Sequence, residues 1–133
     1  MDSRLLVTRT LPNGLTCPVQ PYHVSLKGLE SATICREYED YDVMVKNIFL
    51  CARRKNVIVI IYAVVSNHAH VAVLSNAFIN VKAFADSLKK VQSMWLRGKY
   101  GNSNVLKKKD AYISVIDTMR YARNVLAYIL QQS

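Results

Sequence analysis

The sequence lacks the long apolar run that marks a membrane-spanning protein. Its longest uninterrupted apolar stretch, Val57 to Val65, has the length of a strand and falls well short of the roughly 20 residues that cross a bilayer. Cysteines are few: Cys17, Cys35 and Cys51 are odd in number and form no Cys-x-x-Cys pair. They predict reduced packing residues, not a disulfide framework or a zinc knuckle. The N-terminus shows no apolar core with a small-residue cleavage site, so we expect a cytoplasmic protein that does not bind a membrane.

Acidic residues are also scarce. Nine Asp and Glu stand against eighteen Lys and Arg, which gives a formal net charge of +9. The length predicts one domain over residues 1–133, and the 51 % share of hydrophobic residues argues against a disordered chain. A small domain with this charge attracts polyanions, and nucleic acid is the first candidate partner. An anionic membrane is a weaker alternative because the basic residues are not gathered on one amphipathic helix. A third possibility is a basic protein that binds neither nucleic acid nor a membrane.

The most informative stretch is a predicted β-hairpin that carries two histidines. The apolar run from Val57 to Val65 predicts a buried strand, Ser66-Asn67 a tight turn, and the run that ends at Leu74 the returning strand. Because strand side chains alternate between faces, His68 and His70 are predicted to point the same way, about 7 Å apart. Two imidazoles so placed can share one metal ion or one phosphate. The alternative is that they cap the hairpin in solvent.

The rest of the chain alternates predicted strands and helices. Turn-forming residues in the first 20 positions indicate an irregular lead-in or a short edge hairpin. Periodicity then predicts, in chain order, a strand Tyr22–Leu26, a helix Glu37–Arg54, the hairpin, a helix from Asn80 to about Arg97, a strand Tyr112–Ile116 and a helix capped by Asp117-Thr118. The first six elements make a βαββαβ order. This order predicts an α+β, ferredoxin-like fold with an antiparallel sheet and helices on one face, followed by an added C-terminal helix.

The last predicted helix carries a second candidate group. Four residues spaced by four, three and four positions share one helix face: Tyr121, Val125, Tyr128 and Gln132. A tyrosine followed one turn later by a glutamine can present a nucleophile and a metal ligand to the same place. The alternative is that these aromatic residues belong to the core, which is the more common situation at this spacing. His23, the third histidine, is predicted to pack beside the sheet as a partly buried residue.

Two groups of lysines are candidates for contacts with nucleic acid. Lys89 and Lys90 lie off the apolar stripe of the second helix, and Lys107, Lys108 and Lys109 precede the last strand. Beside a polyanion site they would contact the phosphates of a nucleic-acid backbone. The alternative for both groups is an ordinary solvated face.

Together these motifs resemble the single-tyrosine HUH transposases, in particular the REP-associated tyrosine transposases and their small insertion-sequence relatives. The resemblance covers most of the chain. Tyr22-His23-Val24 is similar to the family's first strand, Tyr62 to Leu74 to its apolar strand and His-hydrophobic-His element, and residues 128–132 to its closing tyrosine helix. Val65-Ser66 stands where members commonly have Met-Pro, and Gln132 stands where many REP-associated members have asparagine.

The resemblance implies a transposase that nicks and joins single-stranded DNA beside hairpins. His68, His70 and Gln132 would hold a divalent ion, Mg²⁺ or Mn²⁺, against the scissile phosphate. Tyr128 would attack phosphorus to give a 5′-phosphotyrosine and a free 3′-OH. The resemblance also implies single-stranded DNA as the partner, a monomer or a homodimer as the working unit, and a place beside the nucleoid in a prokaryotic cytoplasm.

Other functions stay open at this point. A non-catalytic nucleic-acid-binding module of the same fold would use the histidines only to line a groove. A zinc hydrolase built on His68 and His70 lacks a third ligand, because no Asp or Glu lies close by in sequence. Tyr121 is the rival nucleophile, since it shares the helix face of Tyr128, but only Val125 follows it at the next turn. The enzyme requires a tyrosine and a divalent ion, whereas the binding module requires neither.

Overall fold

The computed structural model of the protein describes residues 5–101, 106 and 110–132. Over these residues the chain forms five β-strands, three α-helices and a short 3₁₀ turn at Leu29–Ser31. In chain order, the strands and helices are β1 (Val7–Thr10), β2 (Thr16–Lys27), α1 (Tyr38–Arg54), β3 (Ile58–Val64), β4 (His68–Ser75), α2 (Phe78–Tyr100), β5 (Tyr112–Val115) and α3 (Met119–Gln132). This mixture of an antiparallel sheet and helices is compatible with the predicted α+β class. None of the described helices is long and apolar enough to span a membrane.

The strands form one antiparallel sheet in which β2 and β4 are neighbours. β4 pairs with β2 and with β3, and β5 pairs with β2. β1 pairs with the first residues of β2, which confirms the predicted edge hairpin. The register between β2 and β4 sets Lys27 opposite His68 and Ser25 opposite His70. The histidine end of β4 therefore lies next to the last residues of β2.

The two faces of the sheet are covered by different helices. Ala69 and Val71 of β4 belong to the core formed with α1 and α2. Ala72 packs with Val125 and Ile129 of α3 in a second, smaller core. Because side chains alternate along a strand, residues 68 and 70 lie on the same face as Ala72, which is the face that α3 covers.

The second helix differs from its sequence prediction at both ends. It begins at Phe78 with Ala77 as the N-cap residue, so the prediction that Asn80 is the N-cap is wrong. Ser75 supplies the polar contact at the helix start instead, because its hydroxyl accepts a hydrogen bond from the Ala77 N–H at 3.2 Å. The helix also ends later than expected, at Tyr100, and its C-cap residue Gly101 has a φ of 79°, a left-handed conformation suited to glycine.

A buried carboxylate joins the start of α1 to the end of α2. Asp40 is 0 % exposed. Its Oδ2 accepts hydrogen bonds from the backbone N–H groups of residues 36 and 37, at 2.9 and 3.0 Å, and from the hydroxyl of Tyr100. Its Oδ1 accepts hydrogen bonds from Trp95 Nε1 at 3.1 Å and from Lys99 Nζ at 3.0 Å. Because these bonds compensate a buried charge, Asp40 has a structural role at this helix junction.

Candidate functional site

The two histidines of the predicted hairpin lie together beneath α3. His68 is the first residue of β4, and His70 follows it on the same side of the strand. Their ring centroids are 4.9 Å apart, with an interplanar angle of 77°. The prediction that both side chains point the same way is confirmed, and the pleat of the strand is the cause.

His68 contacts two amide oxygens, one at each ring nitrogen. Its Nδ1 is 2.7 Å from Asn67 Oδ1, and its Nε2 is 3.2 Å from Gln132 Oε1 in the last turn of α3. A neutral imidazole carries one N–H and can donate to only one of these oxygens. With the proton on Nε2, Gln132 Oε1 accepts it. With the proton on Nδ1, Asn67 Oδ1 accepts it, and the lone pairs of His68 Nε2 and Gln132 Oε1 face each other, an arrangement that a cation shared by the two atoms would stabilise.

His70 is buried, with 3 % of its surface exposed. Its Nδ1 is 3.0 Å from His23 Nε2 in β2, and the two rings stack with their centroids 5.2 Å apart. Its Nε2 is buried and has no hydrogen-bond partner among the residues that the structure describes. Burial, together with the nearby charges of His23, His68 and Lys27, lowers the pKa of His70 to about 4. The ring is therefore neutral at physiological pH.

His23 has a larger part in the site than the sequence indicated. It is buried beside the sheet as expected. Its ring also forms a hydrogen bond with His70 and lies edge-on to the ring of Tyr112, with the ring centroids 6.0 Å apart. Burial lowers the pKa of His23 as well. The contact depends on the register between β2 and β4, which the sequence does not reveal. The sequence pattern that could have indicated this role is the alternation of His23, Ser25 and Lys27 along the strand, which places all three on the face away from the larger core.

Tyr128 of α3 faces the histidines. Its ring is edge-on to that of His70, with centroids 5.0 Å apart, and 44 % of its surface is exposed. Tyr121, two turns earlier, makes a hydrogen bond with the hydroxyl of Ser114 in β5, and burial raises the pKa of Tyr121. The structure thus brings the predicted nucleophile and the three predicted metal ligands together within one chain. The rival nucleophile, Tyr121, is instead hydrogen-bonded to a strand of the sheet.

A pocket of about 620 Å³ lies beside these side chains. It lies between the sheet and α3, and its lining includes Lys27, Tyr112, Asn124 and Tyr128. Its volume is within the roughly 300–1,000 Å³ typical of small-ligand pockets. A lysine can bind a phosphate, an aromatic ring can stack on a base, and an amide can hydrogen-bond to a base edge. The pocket therefore offers the three kinds of contact that a nucleotide uses.

The donor set restricts which metal ions the site could take. Among the residues that the structure describes, no three His, Cys, Asp or Glu side chains form a group that could hold a metal ion. The predicted ligands are instead the two imidazoles of His68 and His70 and the amide oxygen of Gln132. Imidazole suits borderline ions and an amide oxygen suits harder ones, a combination that fits Mn²⁺ well and Mg²⁺ less well. With three protein donors, the remaining positions would fall to water or phosphate oxygens.

The predicted lysine contacts lie in several places. Lys89 of α2 is 3.9 Å from Asp110, which lines the pocket, and Lys90 is exposed on the same helix. The three lysines at 107–109 lie outside the described residues. Because α2 packs on the opposite face of the sheet from the histidines, Lys90 is not brought to the site. Of the described lysines, Lys27 lines the pocket, and its sequence context did not indicate this position.

Comparison with known proteins supports the fold. No protein-family model matches the sequence, and no curated protein matches it either. The structure is similar to the crystal structure of a putative transposase from Deinococcus radiodurans R1, with a TM-score of 0.62 and 12 % sequence identity. The match covers 84 % of this chain and 89 % of that one. At this level of identity, the likeness shows a shared fold.

Proposed function

We propose that the protein is a metal-dependent transposase of the HUH type, which nicks and joins single-stranded DNA. The observation that carries this proposal is the meeting of Tyr128 with His68, His70 and Gln132 in one protomer. The histidines come from one strand and the other two residues from one helix, so two separate elements converge on the same place. The strand order β5-β2-β4-β3 is compatible with a ferredoxin-like sheet. The similar fold of the Deinococcus protein gives coarse support for transposition.

His68, His70 and Gln132 are the proposed ligands of a divalent ion, Mn²⁺ or Mg²⁺. When bound, such an ion withdraws charge from the scissile phosphate and stabilises the leaving oxygen. Asn67, whose Oδ1 is 2.7 Å from His68 Nδ1, is proposed to orient His68 by accepting the Nδ1–H. Burial keeps the ring of His70 neutral, so that a nitrogen lone pair is present at physiological pH. The chain's own contacts thus prepare both imidazoles as ligands.

Tyr128 is the proposed nucleophile. Its phenolic oxygen loses its proton and attacks phosphorus, so that a Tyr128–phosphorus bond forms while the bond from phosphorus to the 3′-oxygen breaks. The released 3′-oxygen takes up a proton, and the 5′ end stays on the protein as a phosphotyrosine. Attack by another 3′-OH reverses these steps and joins the strands without ATP. The partial exposure of the tyrosine leaves room for the phosphate, and the contact with His70 fixes the ring.

The proposed substrate is single-stranded DNA beside a hairpin. The net charge of +9 favours binding of such a polyanion. Lys89, Lys90 and the lysines at 107–109 remain predicted contacts to its backbone, and Lys90 would contact DNA that extends beyond the site. Because Tyr128 contacts His70 of the same chain, one protomer supplies the nucleophile and the ligands. The proposed working unit is therefore a monomer, with a homodimer as the alternative, and the proposed place of action is the nucleoid of a prokaryotic cell.

Labelled single-stranded hairpin oligonucleotides from the protein's own genome test this proposal. With Mn²⁺ present, we expect cleaved strands on a denaturing gel, and after chelation with EDTA we expect none. Metal-independent binding to many hairpins without any cleavage would contradict it. That result would favour the second candidate, a non-catalytic nucleic-acid-binding module, for which the net charge of +9 is the supporting observation.

The substitution Lys27→Gln is expected to weaken the binding of single-stranded DNA and to reduce its salt dependence. Lys27 lines the pocket beside Tyr128, and loss of one phosphate contact lowers the slope of log K against log salt by about 0.7 for a single strand. Fluorescence anisotropy over a series of salt concentrations measures both quantities. Lys46→Gln removes the same charge on α1, where Lys46 pairs with Asp42 at 2.9 Å, and should leave the slope unchanged. Equal effects of the two substitutions would show that only net charge matters.

A further inference from the structure

The hydrogen bond between His23 and His70 has no role in the chemistry described above. His23 Nε2 and His70 Nδ1 are 3.0 Å apart, and the two residues are 9 % and 3 % exposed. In a hydrogen bond between two neutral imidazoles, one nitrogen carries the proton and the other accepts it. The direction of this bond therefore decides which nitrogen of His70 keeps a lone pair.

Two arrangements of the imidazole protons are compatible with this hydrogen bond, and they differ in whether His70 Nε2 carries a proton. If His23 donates, His70 carries its proton on Nε2, which is then a buried N–H with no acceptor among the described residues. If His70 donates from Nδ1, its Nε2 presents a lone pair instead. Only this second arrangement allows Nε2 to bind a cation, because a protonated ring nitrogen cannot act as a ligand.

The side chain of His23 is held in a fixed place beside His70. It lies in the interior of the sheet, paired with Ala72 of β4 and with Ser114 of β5. Its ring stacks on that of His70 at an interplanar angle of 23° and meets the edge of Tyr112. Because neighbours hold this side chain on both sides, its Nε2 is a fixed partner for His70.

We propose that His23 is a positioning residue, which accepts the Nδ1–H of His70 and so leaves the Nε2 lone pair free for a divalent cation. The use of that lone pair rests on the proposed function, whereas the tautomer is a property of the metal-free protein. Asn67 has the same relation to His68, whose Nδ1 is 2.7 Å from its amide oxygen. Each of the two ligand histidines is thus oriented by its own acceptor.

Nitrogen-15 NMR of the histidine-labelled, metal-free protein tests the tautomer directly. We expect His70 to carry its proton on Nδ1 in the wild type and in His23→Gln, whose amide oxygen can still accept it. In His23→Leu we expect this preference to be lost. A wild-type His70 protonated on Nε2, or an unchanged tautomer in His23→Leu, would overturn the inference. Circular dichroism reports whether each variant is folded, and the wild-type tautomer still decides the inference if His23→Leu is not.

Calorimetric titration with Mn²⁺ tests the consequence for metal binding. We expect His23→Leu to lower the affinity about 10- to 100-fold and His23→Gln to retain most of it. Tyr38→Phe is the control, because Tyr38 is exposed at the start of α1, on the other side of the sheet from the histidines, and the variant should bind as the wild type does. An altered tautomer with unchanged Mn²⁺ affinity would overturn the positioning role. A wild type that binds no Mn²⁺ would overturn the proposed metal site, while the NMR result would still decide the tautomer.

Discussion

Tyr128→Phe is expected to reduce covalent attachment of DNA on the order of 10³-fold or more, because it removes the attacking oxygen. The phenylalanine ring keeps the edge contact with His70, and the lost hydroxyl belongs to a side chain that is 44 % exposed. The folded structure and the affinity for single-stranded DNA should therefore change little. Adduct formation on a denaturing gel, with anisotropy for binding, separates these two effects.

Tyr121→Phe is the matched control for this prediction. Tyr121 lines the same pocket and lies on the same helix, but its hydroxyl bonds to Ser114 in β5. Loss of this hydroxyl should lower the free energy of unfolding by about 1 kcal/mol and should leave formation of the DNA adduct unchanged. An adduct that persists in Tyr128→Phe and disappears in Tyr121→Phe would assign the reaction to the other tyrosine.

Asp40→Ala is expected to lower the free energy of unfolding by about 3–5 kcal/mol, the usual cost of breaking a buried, hydrogen-bonded charge pair. The substitution removes the acceptor of five hydrogen bonds, three of which come from α2 and tie it to α1. It leaves Trp95 Nε1 and the Tyr100 hydroxyl without this partner, whereas Lys99 keeps ion pairs at the protein surface. Urea denaturation followed by circular dichroism measures the difference.

The same carboxylate gives the stability a defined pH dependence. Burial acts to raise the pKa of Asp40, but hydrogen bonds from Tyr100, from backbone N–H groups and from Lys99 outweigh it and hold the pKa well below its usual range. The stabilisation is therefore complete above the ordinary aspartate pKa of about 3.9 and is lost as the pH falls below it. The difference in the free energy of unfolding between the wild type and Asp40→Asn should therefore become smaller at acidic pH.

Asp42→Ala is the control for both measurements on Asp40. Asp42 lies in the same helix, and among the described residues its ion pair is with Lys46 at the surface, with Nζ and Oδ2 2.9 Å apart. Such exposed pairs contribute less than about 1 kcal/mol, so this substitution should change stability little at any pH. Equal losses for the two aspartates would contradict the structural role of the buried one.

Local patterns were enough to predict much of the site. Strand alternation placed His68 and His70 on one face, because that relation depends only on the pleat. Helical spacing likewise placed Tyr128 and Gln132 on one side of α3, where both now contact the histidines. Relations within a single element follow from its own geometry, and they can be predicted from the sequence.

Relations between elements could not be predicted in the same way. The contacts of His23 and Lys27 with the site depend on the register between β2 and β4, which is set by packing along the whole strand pair. The start of α2 was also misplaced, because Ser75 and Asn80 are both polar residues suited to a helix start and the sequence does not rank them.

Mapping of the DNA adduct by mass spectrometry tests the central claim most directly. Trypsin cuts after Arg120 and Arg123, so Tyr121 lies in the peptide 121–123 and Tyr128 in the peptide that begins at Asn124. After incubation with a hairpin oligonucleotide and Mn²⁺, we expect a phosphonucleotide mass on the peptide that begins at Asn124 and none after EDTA. A modified peptide 121–123, or bound DNA with no modified peptide in any metal, would contradict a site built from Tyr128, His68, His70 and Gln132.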